Sequence, residues 1–253
     1  MKITVILIFA FCSKVTIAQR NMADSAIGTT LLGVQYGLSW TGGDLKERYG
    51  LFHNIGFTAG YKFKSNWYLG FEGDFMFGQD INMDVKEIFG SLVDDQGFII
   101  DINGDLGSVL LFARGFHANI EGGRIFSKLG HNENSGVMVK FGVGYLNHRM
   151  RIETNEQVIP SIEKEYKRGY DRLTTGINTS QFLGYLFMSD NSFLNFYGGV
   201  FIQEGFTYNR RKIFYDAPNT PAPTEMRLDI LYGFKLGWLI PIYKRKPKEY
   251  YYN

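Results

Sequence analysis

The chain alternates between apolar and polar positions with a period of two over most of its length. From Leu32 to Trp40, every even position is apolar and every odd position is glycine, glutamine or serine. Alternate side chains of a β-strand face opposite sides of a sheet, so the pattern predicts strands with one apolar face and one small or polar face. Eight segments share it, namely 32–40, 54–63, 67–77, 110–121, 137–148, 174–187, 194–208 and 228–242.

The lengths of the connections favour one all-β fold over another. A soluble β-sandwich would show the same alternation. Here, however, short links (64–66, 127–135 and 189–192) alternate strictly with long ones (41–52, 78–108, 153–173 and 209–225). Short periplasmic turns and long extracellular loops are typical of outer-membrane barrels. The chain is therefore predicted to be an all-β protein, an eight-stranded antiparallel transmembrane β-barrel.

Aromatic residues make up 16% of the chain and collect at the ends of the predicted strands. Ends that face the long links carry Trp40, Phe75, Phe77, Phe206 and Tyr208. The opposite ends carry Phe63, Trp67, Phe126, Tyr185, Phe187, Trp238 and Tyr243. Two aromatic girdles mark the two interfaces of a lipid-embedded barrel. The apolar positions between them are predicted to contact outer-membrane lipid.

The N-terminus has the form of a secretory signal peptide. Lys2 precedes an apolar run that ends at Cys12, and small residues stand one and three positions before a cleavage site after Ala18. Cleavage removes the single cysteine and leaves equal numbers of basic and acidic residues, which excludes disulfides and argues against a nucleic-acid partner. The expected location is the outer membrane of a Gram-negative bacterium, with both termini periplasmic. The predicted division is 1–18 signal peptide, 19–243 barrel and 244–253 tail.

The predicted inward positions carry charges of both signs. An eight-stranded barrel is only wide enough to be filled by its own side chains, and buried charges need partners. The sequence therefore predicts an ion-paired network that plugs the lumen, with a proton or ion path as the alternative. Its members are Lys62, Glu72, Asp74, His117, Glu121, Lys140, Asp229 and Lys235.

The candidate chemistry is sparse. Small barrels that act on lipids use a rim histidine with a serine or an acid, and His53 and His148 are the candidates by position. The chain has no His-x-Ser pair, no Gly-x-Ser-x-Gly elbow and no histidine spacing suited to zinc. We therefore expect no catalytic residue, no cofactor, no metal and no enzymatic activity.

The link 78–108 carries two local signals. Val85, Ile88, Phe89 and Leu92 follow helical spacing after the capping residue Asp84, which predicts a short helix that either caps the barrel or docks a partner. The acidic run 101–105 lacks the ligand spacing of a calcium loop. Its Asn-Gly pair predicts a hairpin turn instead.

The end of the chain is basic and aromatic. The last predicted strand already has a complete apolar face, so residues 244–253 have no evident folding task. They are either a passive, interface-associated end or a docking peptide for an envelope protein. The docking candidates are Lys244, Arg245, Lys246, Tyr250, Tyr251 and Tyr252.

Three stretches carry a resemblance to a known class of proteins: 169–174 (GYDRLT), 195–199 (NFYGG) and 227–243, which includes Arg227-Leu228-Asp229 and Pro241-Ile242-Tyr243. Together with the Ala-Gln cleavage site, they resemble small outer-membrane barrels of Bacteroidota-type bacteria. That class includes accessory barrels of outer-membrane assembly and type IX secretion machineries. The resemblance implies a non-enzymatic accessory or scaffold subunit of a cell-envelope complex for protein export or outer-membrane protein assembly. A lipid-modifying outer-membrane enzyme and a narrow pore are the alternatives.

Overall fold

The computed structural model describes residues 25–154, 158–163, 166–191 and 193–243. The predicted signal peptide and the six docking candidates of the tail lie outside these residues. Nine strands are present in the described ranges: β1 (Thr29–Gly43), β2 (Leu51–Lys62), β3 (Trp67–Gly78), β4 (Phe98–Ile100), β5 (Leu106–Phe126), β6 (Gly136–Thr154), β7 (Thr174–Phe187), β8 (Phe196–Asn209) and β9 (Arg227–Ile242).

Eight of the strands close into one antiparallel ring. Each pairs with its neighbour in chain order, except that β3 pairs directly with β5, and β9 returns to pair with β1. The closing register runs from Thr30 opposite Ile242 to Gly43 opposite Asp229. The short β4 lies in the long link between β3 and β5 and pairs only with the start of β5. The prediction of an eight-stranded antiparallel barrel is confirmed.

The connections define two unlike ends, here named the short-turn end and the long-loop end. The short-turn end holds the links 63–66, 127–135 and 188–195, and the long-loop end holds 44–50, 79–105, 155–173 and 210–226. One α-helix, α1 (Val85–Phe89), lies in the second long loop. Short 3₁₀ turns occur at Asp44–Glu47, Gly90–Leu92, Ser127–Leu129, Pro160–Ile162 and Tyr166–Gly169. Among the described helices, none has the length and hydropathy to cross a membrane.

Both local signals in the second long loop are confirmed. The Asp84 carboxylate accepts a hydrogen bond of 2.9 Å from the Lys86 N–H and caps α1. Between β4 and β5, Asp101 Oδ1 accepts from the N–H groups of Asn103 and Asp105 at 2.8 and 2.9 Å. Gly104 has φ +85° in this turn, a conformation that glycine adopts without steric cost.

The wall of the barrel is apolar outside and polar inside. Phe57, Phe71 and Leu236 expose 52%, 40% and 66% of their surface on the outer face. Their neighbours in sequence point inward, and Glu72 and Lys235, for example, are almost fully buried. Such a continuous apolar belt far exceeds the patches that water-soluble monomers tolerate, whereas lipid is its natural solvent. The belt is therefore the surface that faces the membrane.

Candidate functional site

The centre of the lumen holds an ion-paired cluster, here called the central network. Glu72 and Asp74 are two residues apart on β3, so both point inward. Lys235 on β9 lies 2.6 Å from a Glu72 oxygen and 3.4 Å from an Asp74 oxygen. Lys140 on β6 lies 2.6 Å from Glu121 and 3.7 Å from Glu72. Each lysine thus contacts two carboxylates, of which Glu121 comes from a neighbouring strand and those of β3 come from across the barrel.

Two neutral residues, Gln35 and Tyr197, complete the central network, and the charge pattern did not identify them. The Gln35 amide donates to Asp74 Oδ1 at 2.6 Å and to Glu72 Oε2 at 3.3 Å, and its carbonyl oxygen accepts from the Tyr197 hydroxyl. His117, a predicted member, lies directly opposite Asp74 in register, with its Nε2 3.2 Å from the carboxylate. Their hydrogen bonds reduce the cost of burying the charges.

Aromatic rings pack around the two lysines. The Lys140 ammonium lies 4.9 Å from the ring centre of Phe182 and 5.2 Å from that of Tyr197, and Lys235 lies 4.9 Å from that of Phe201. These are cation–π distances. The Tyr197 ring takes the space beside Gly237, where a Cβ would come within 2.0 Å of a ring carbon. This inward glycine of β9 thus leaves room for the ring of the residue opposite it on β8.

The lumen is filled at this level. The cavity next to Lys140 has a volume of about 10 Å³, roughly what one water molecule needs. Glu72, Asp74 and His117 each bring a potential metal-ligand atom within 4.8 Å of the others. Because Lys235 contacts both carboxylates, the group is built as an ion-pair network, and an incoming cation would have to displace an ammonium group.

The prediction that one network contains all eight of these residues is wrong for two of them, although all eight are buried. Lys62 lies at the short-turn end, where its ammonium donates to the Ile27 carbonyl at 3.1 Å and to Asn134 Oδ1 at 3.0 Å. No carboxylate of the described residues forms an ion pair with it. The reason is geometric, because Lys62 is the last residue of β2 and the inward acids lie nearer the middle of the barrel.

Asp229 belongs to a second cluster, at the long-loop end. Its Oδ2 lies 2.8 Å from His148 Nε2 and accepts from the Thr207 hydroxyl, while Arg227 Nε lies 3.6 Å from its Oδ1. Asp229 is near the start of β9, whereas Lys235 is six residues further along the same strand. The predicted network therefore consists of separate clusters at different heights within the barrel.

The long loops fold over this end and join strands on opposite sides. The Arg48 guanidinium donates to Thr174 Oγ1 at 2.8 Å and to Asn209 Oδ1 at 3.0 Å. Burial, with Arg227 as a second cause, lowers the pKa of Arg48 to about 10. Burial likewise raises the pKa of the Tyr49 hydroxyl. The Tyr49 ring packs edge-on against His148, with 5.5 Å between ring centres, and closes the lumen from above.

The stretch 169–174 lies in this cap. The Tyr170 ring packs between Phe89 of α1 and Tyr215, with centre distances of 5.0 and 5.5 Å. Asp171 pairs with Arg211 at 2.5 Å, and that hydrogen bond raises the pKa of the arginine. The next residue, Arg172, pairs with Asp216 at 2.8 Å. The motif therefore holds the third and fourth long loops together, and α1 caps the barrel as the first of its two predicted roles requires.

The two rim histidines occupy different surroundings. His53 is on the outer face, where its Nδ1 forms a 2.6 Å hydrogen bond with the Tyr36 hydroxyl and its ring stacks on Phe77. His148 has an acid partner in Asp229, but both side chains are fully enclosed beneath Tyr49. Neither arrangement offers a His–acid pair to the lipid surface.

The outer face of β7 and β8 carries a polar cluster that the sequence reasoning missed. Glu204 of β8 faces Thr179 of β7 in register. Its Oε2 accepts 2.7 Å from the Thr179 hydroxyl and 2.9 Å from the Gln181 amide. A signal was available, because Glu204 shares the outward phase of Ile202 and Phe206. We call Glu204, Thr179 and Gln181 the Glu204 cluster.

No family model matches the chain, and no curated protein matches it. Among solved structures it is similar to Ail, the attachment invasion locus protein of Yersinia pestis, with 10% identity and a TM-score of 0.40 over 84% of this chain and 99% of that one. By its closed ring and apolar exterior, the chain is a small β-barrel of the outer-membrane type.

Two Pseudomonas aeruginosa barrels are also similar to this barrel. The N-terminal β-barrel domain of OprF shares 11% identity and has a TM-score of 0.36, over 85% of this chain and 100% of that one. The outer membrane protein OprG shares 9% identity and has a TM-score of 0.35, over 87% of this chain and 99% of that one.

Proposed function

We propose that this barrel is a non-enzymatic, non-conducting accessory or scaffold subunit of a cell-envelope complex, of the kind that serves protein export or outer-membrane protein assembly. The observation that carries the proposal is the Glu204 cluster, a polar group within the lipid-facing belt. The resemblance of the sequence to accessory barrels supports the same proposal.

The surroundings of the Glu204 cluster are apolar on all sides. Along β8, Glu204 lies between Ile202 and Phe206, and across the sheet it faces Ile230 of β9. Thr179 faces Val143 of β6 on its other side. A carboxylate at such a position destabilises a barrel in lipid, although less than an arginine or lysine does. Another membrane protein that supplies a hydrogen-bond donor at this depth would offset the cost of the Glu204 carboxylate.

The filled lumen supports the non-conducting part of the proposal. The central network and the cap close the barrel at two heights, so the described residues leave solutes no open path. Purified protein in planar lipid bilayers should therefore show no steady conductance. Reproducible channels whose ion selectivity changes in Lys140→Glu would instead support the narrow-pore alternative.

The non-enzymatic part rests on the placement of the histidines. A lipid substrate would need to reach His148 and Asp229 through Tyr49 and the loops above it. Membranes that contain the barrel and membranes that lack it should therefore have the same lipid composition by mass spectrometry. A change that disappears in His148→Ala would favour the lipid-modifying enzyme.

Affinity purification from outer membranes in mild detergent tests the scaffold role. The full chain should retain a defined set of envelope proteins, and Glu204→Leu should lose part of that set. The matched control is Ile230→Leu, which changes the outward residue directly opposite Glu204 in register. Loss only in Glu204→Leu supports the proposal, whereas an unchanged set in a folded Glu204→Leu barrel contradicts it.

The tail is a second candidate for partner contact. Aromatic and basic side chains together are favoured at the centres of interfaces. Deletion of residues 244–253 should leave a heat-modifiable, protease-resistant barrel and reduce the co-purifying proteins. Loss of the barrel itself would assign the tail to assembly, and an unchanged set of proteins would make it a passive end.

A further inference from the structure

The outer face of β5 and β6 carries a cluster of arginines. Arg114 of β5 and Arg149 of β6 lie directly opposite each other in register, and Arg151 is the next outward residue of β6. Arg151 forms an ion pair of 2.5 Å with Glu153. Among the described residues, no carboxylate forms an ion pair with Arg114 or Arg149. Like charges that face each other across two strands destabilise a sheet. A bound anion beside Arg114 and Arg149 would offset this cost.

Arg114 is held in place by uncharged groups. Its Nη1 donates to the Ala113 carbonyl at 2.8 Å and to the Gly78 carbonyl at 3.4 Å, and its guanidinium carbon lies 5.1 Å from the ring centre of Phe112. Its Nε and Nη2 have no hydrogen-bond acceptor among the described residues. A fixed guanidinium with free donors is suited to bind a phosphate oxygen.

The depth of the pair matches a lipid headgroup. Arg124 lies ten residues further along β5, and its guanidinium carbon is 5.5 Å from the Trp67 ring centre and 5.6 Å from that of Phe126, at the short-turn end. Ten strand residues tilted by about 45° span roughly 23 Å along the membrane normal, close to the height of the apolar band. The outward residues between the two arginines are Phe116, Ala118, Ile120 and Gly122.

A surface cavity adjoins Arg114. It has a volume of about 390 Å³ and is lined by Leu51, His53, Phe77, Gly78, Gln79, Asp80 and Arg114. That volume is within the range of small-molecule sites. The single acid in the lining, Asp80, has its Oδ2 3.1 Å from the Leu51 N–H, which donates to it. Below the arginines, the Phe116 and Tyr145 rings lie 5.8 Å apart and continue as an apolar surface.

We propose that Arg114 and Arg149 bind the phosphate group of a phosphorylated membrane lipid in the leaflet on the long-loop side. The two guanidiniums neutralise the phosphate, the adjoining cavity receives part of the headgroup, and the acyl chains lie along Phe116 and Tyr145. The phosphate thereby relieves the repulsion between the two arginines. This proposal is independent of the accessory role, because it needs no protein partner.

Native mass spectrometry of the full-length barrel in detergent tests the site. The probes are a bisphosphorylated glycolipid of the lipid A type, the same glycolipid after enzymatic removal of its phosphates, and inorganic phosphate. The unaltered protein should retain the first probe. Loss of both ion contacts in Arg114→Gln/Arg149→Gln should weaken that binding about tenfold or more. The matched control is Arg124→Gln, which removes a girdle arginine at the opposite end and should bind like the unaltered chain.

Several results would overturn the proposal. They are equal retention of the dephosphorylated glycolipid, equal retention by the double variant, an equal loss in Arg124→Gln, and binding of inorganic phosphate as tight as that of the lipid. A second measurement does not depend on the double variant folding. The unfolding temperature of the unaltered chain should rise with the bisphosphorylated glycolipid and not with its dephosphorylated form. Equal shifts with both would also overturn the proposal.

Discussion

The two faces of the barrel wall are made by the same strands and follow opposite rules. On β3, Phe71 and Phe75 expose their rings outward, while Glu72 and Asp74 are buried and paired inside. In a water-soluble protein the apolar face would be enclosed and the charges exposed. The difference teaches that each face is matched to what it contacts. Outside, the apolar side chains contact lipid instead of a protein core. Inside, the charged side chains pair with one another instead of being hydrated.

The largest expected effect comes from breaking the inner face. Lys235→Met removes the ammonium from Glu72 and Asp74 and leaves two buried carboxylates short of a partner. The free energy of unfolding should fall by about 3–5 kcal/mol, measured by urea titration in lipid vesicles with gel mobility as the readout. The control Lys235→Met/Glu72→Gln should recover part of the loss. An unchanged unfolding curve for Lys235→Met would show that the central network does not stabilise the barrel.

The outer face is broken by placing a charge in the lipid. Phe71→Arg should lower the free energy of unfolding by about 2–4 kcal/mol, because a cation near the middle of the bilayer loses its hydration. Tyr208→Arg, near the long-loop end of the belt, should cost only about 0–1 kcal/mol by the same titration. Equal losses at the two positions would contradict the assignment of Phe71 to the hydrocarbon region.

Asn134→Ala tests whether a buried charge of the inner face can depend on a neutral partner, because Asn134 accepts a hydrogen bond from the Lys62 ammonium. The Asn134 side chain accepts from the Ile27 N–H at 2.8 Å and from the Lys62 ammonium, and its amide donates to the Ser25 carbonyl at 3.0 Å. Its loss should cost about 1–3 kcal/mol and expose residues 25–28 to protease. The conservative Asn134→Asp, which keeps the acceptor, should retain most of the stability. Protection from protease equal to that of the unaltered chain in Asn134→Ala would contradict the anchoring role.

The smallest effect is expected in the cap. Asp84→Ala removes the side-chain cap of α1 and should cost about 1 kcal/mol locally. Amide hydrogen exchange should quicken in α1 while the global unfolding curve stays unchanged. Asp84→Asn keeps a capping oxygen and serves as the control. A shift of the global curve in Asp84→Ala would show that the cap and the barrel unfold as one unit.

The period-two pattern predicted the strands and their two faces because alternation is a local property of the backbone. It placed Glu72 inward and Phe71 outward without any knowledge of neighbours. The ion pairs were beyond its reach, since strand tilt and register decide which inward residues meet. Hence Lys62 and Asp229 were correctly placed inside but assigned to the wrong cluster.

Neutral partners were missed for a different reason. Gln35, Tyr197 and Asn134 carry no charge and occupy unremarkable positions in the pattern, so only the folded register reveals their contacts. Glu204 is the opposite case, because the outward phase of β8 already marks it as a carboxylate among apolar residues. The Arg114–Arg149 pair required the register of β5 and β6, which the sequence does not specify.

The closure of β1 on β9 has a consequence for the order of events during biogenesis. Thr30 pairs with Ile242, more than two hundred residues away, so the first strand stays without one neighbour until the last strand is available. An unpaired edge exposes a row of N–H and C=O groups that hydrocarbon cannot satisfy. A chain that ends before Arg227 therefore leaves β1 and β8 with open edges that invite aggregation. A closed ring with no open edge toward the lipid therefore requires β9.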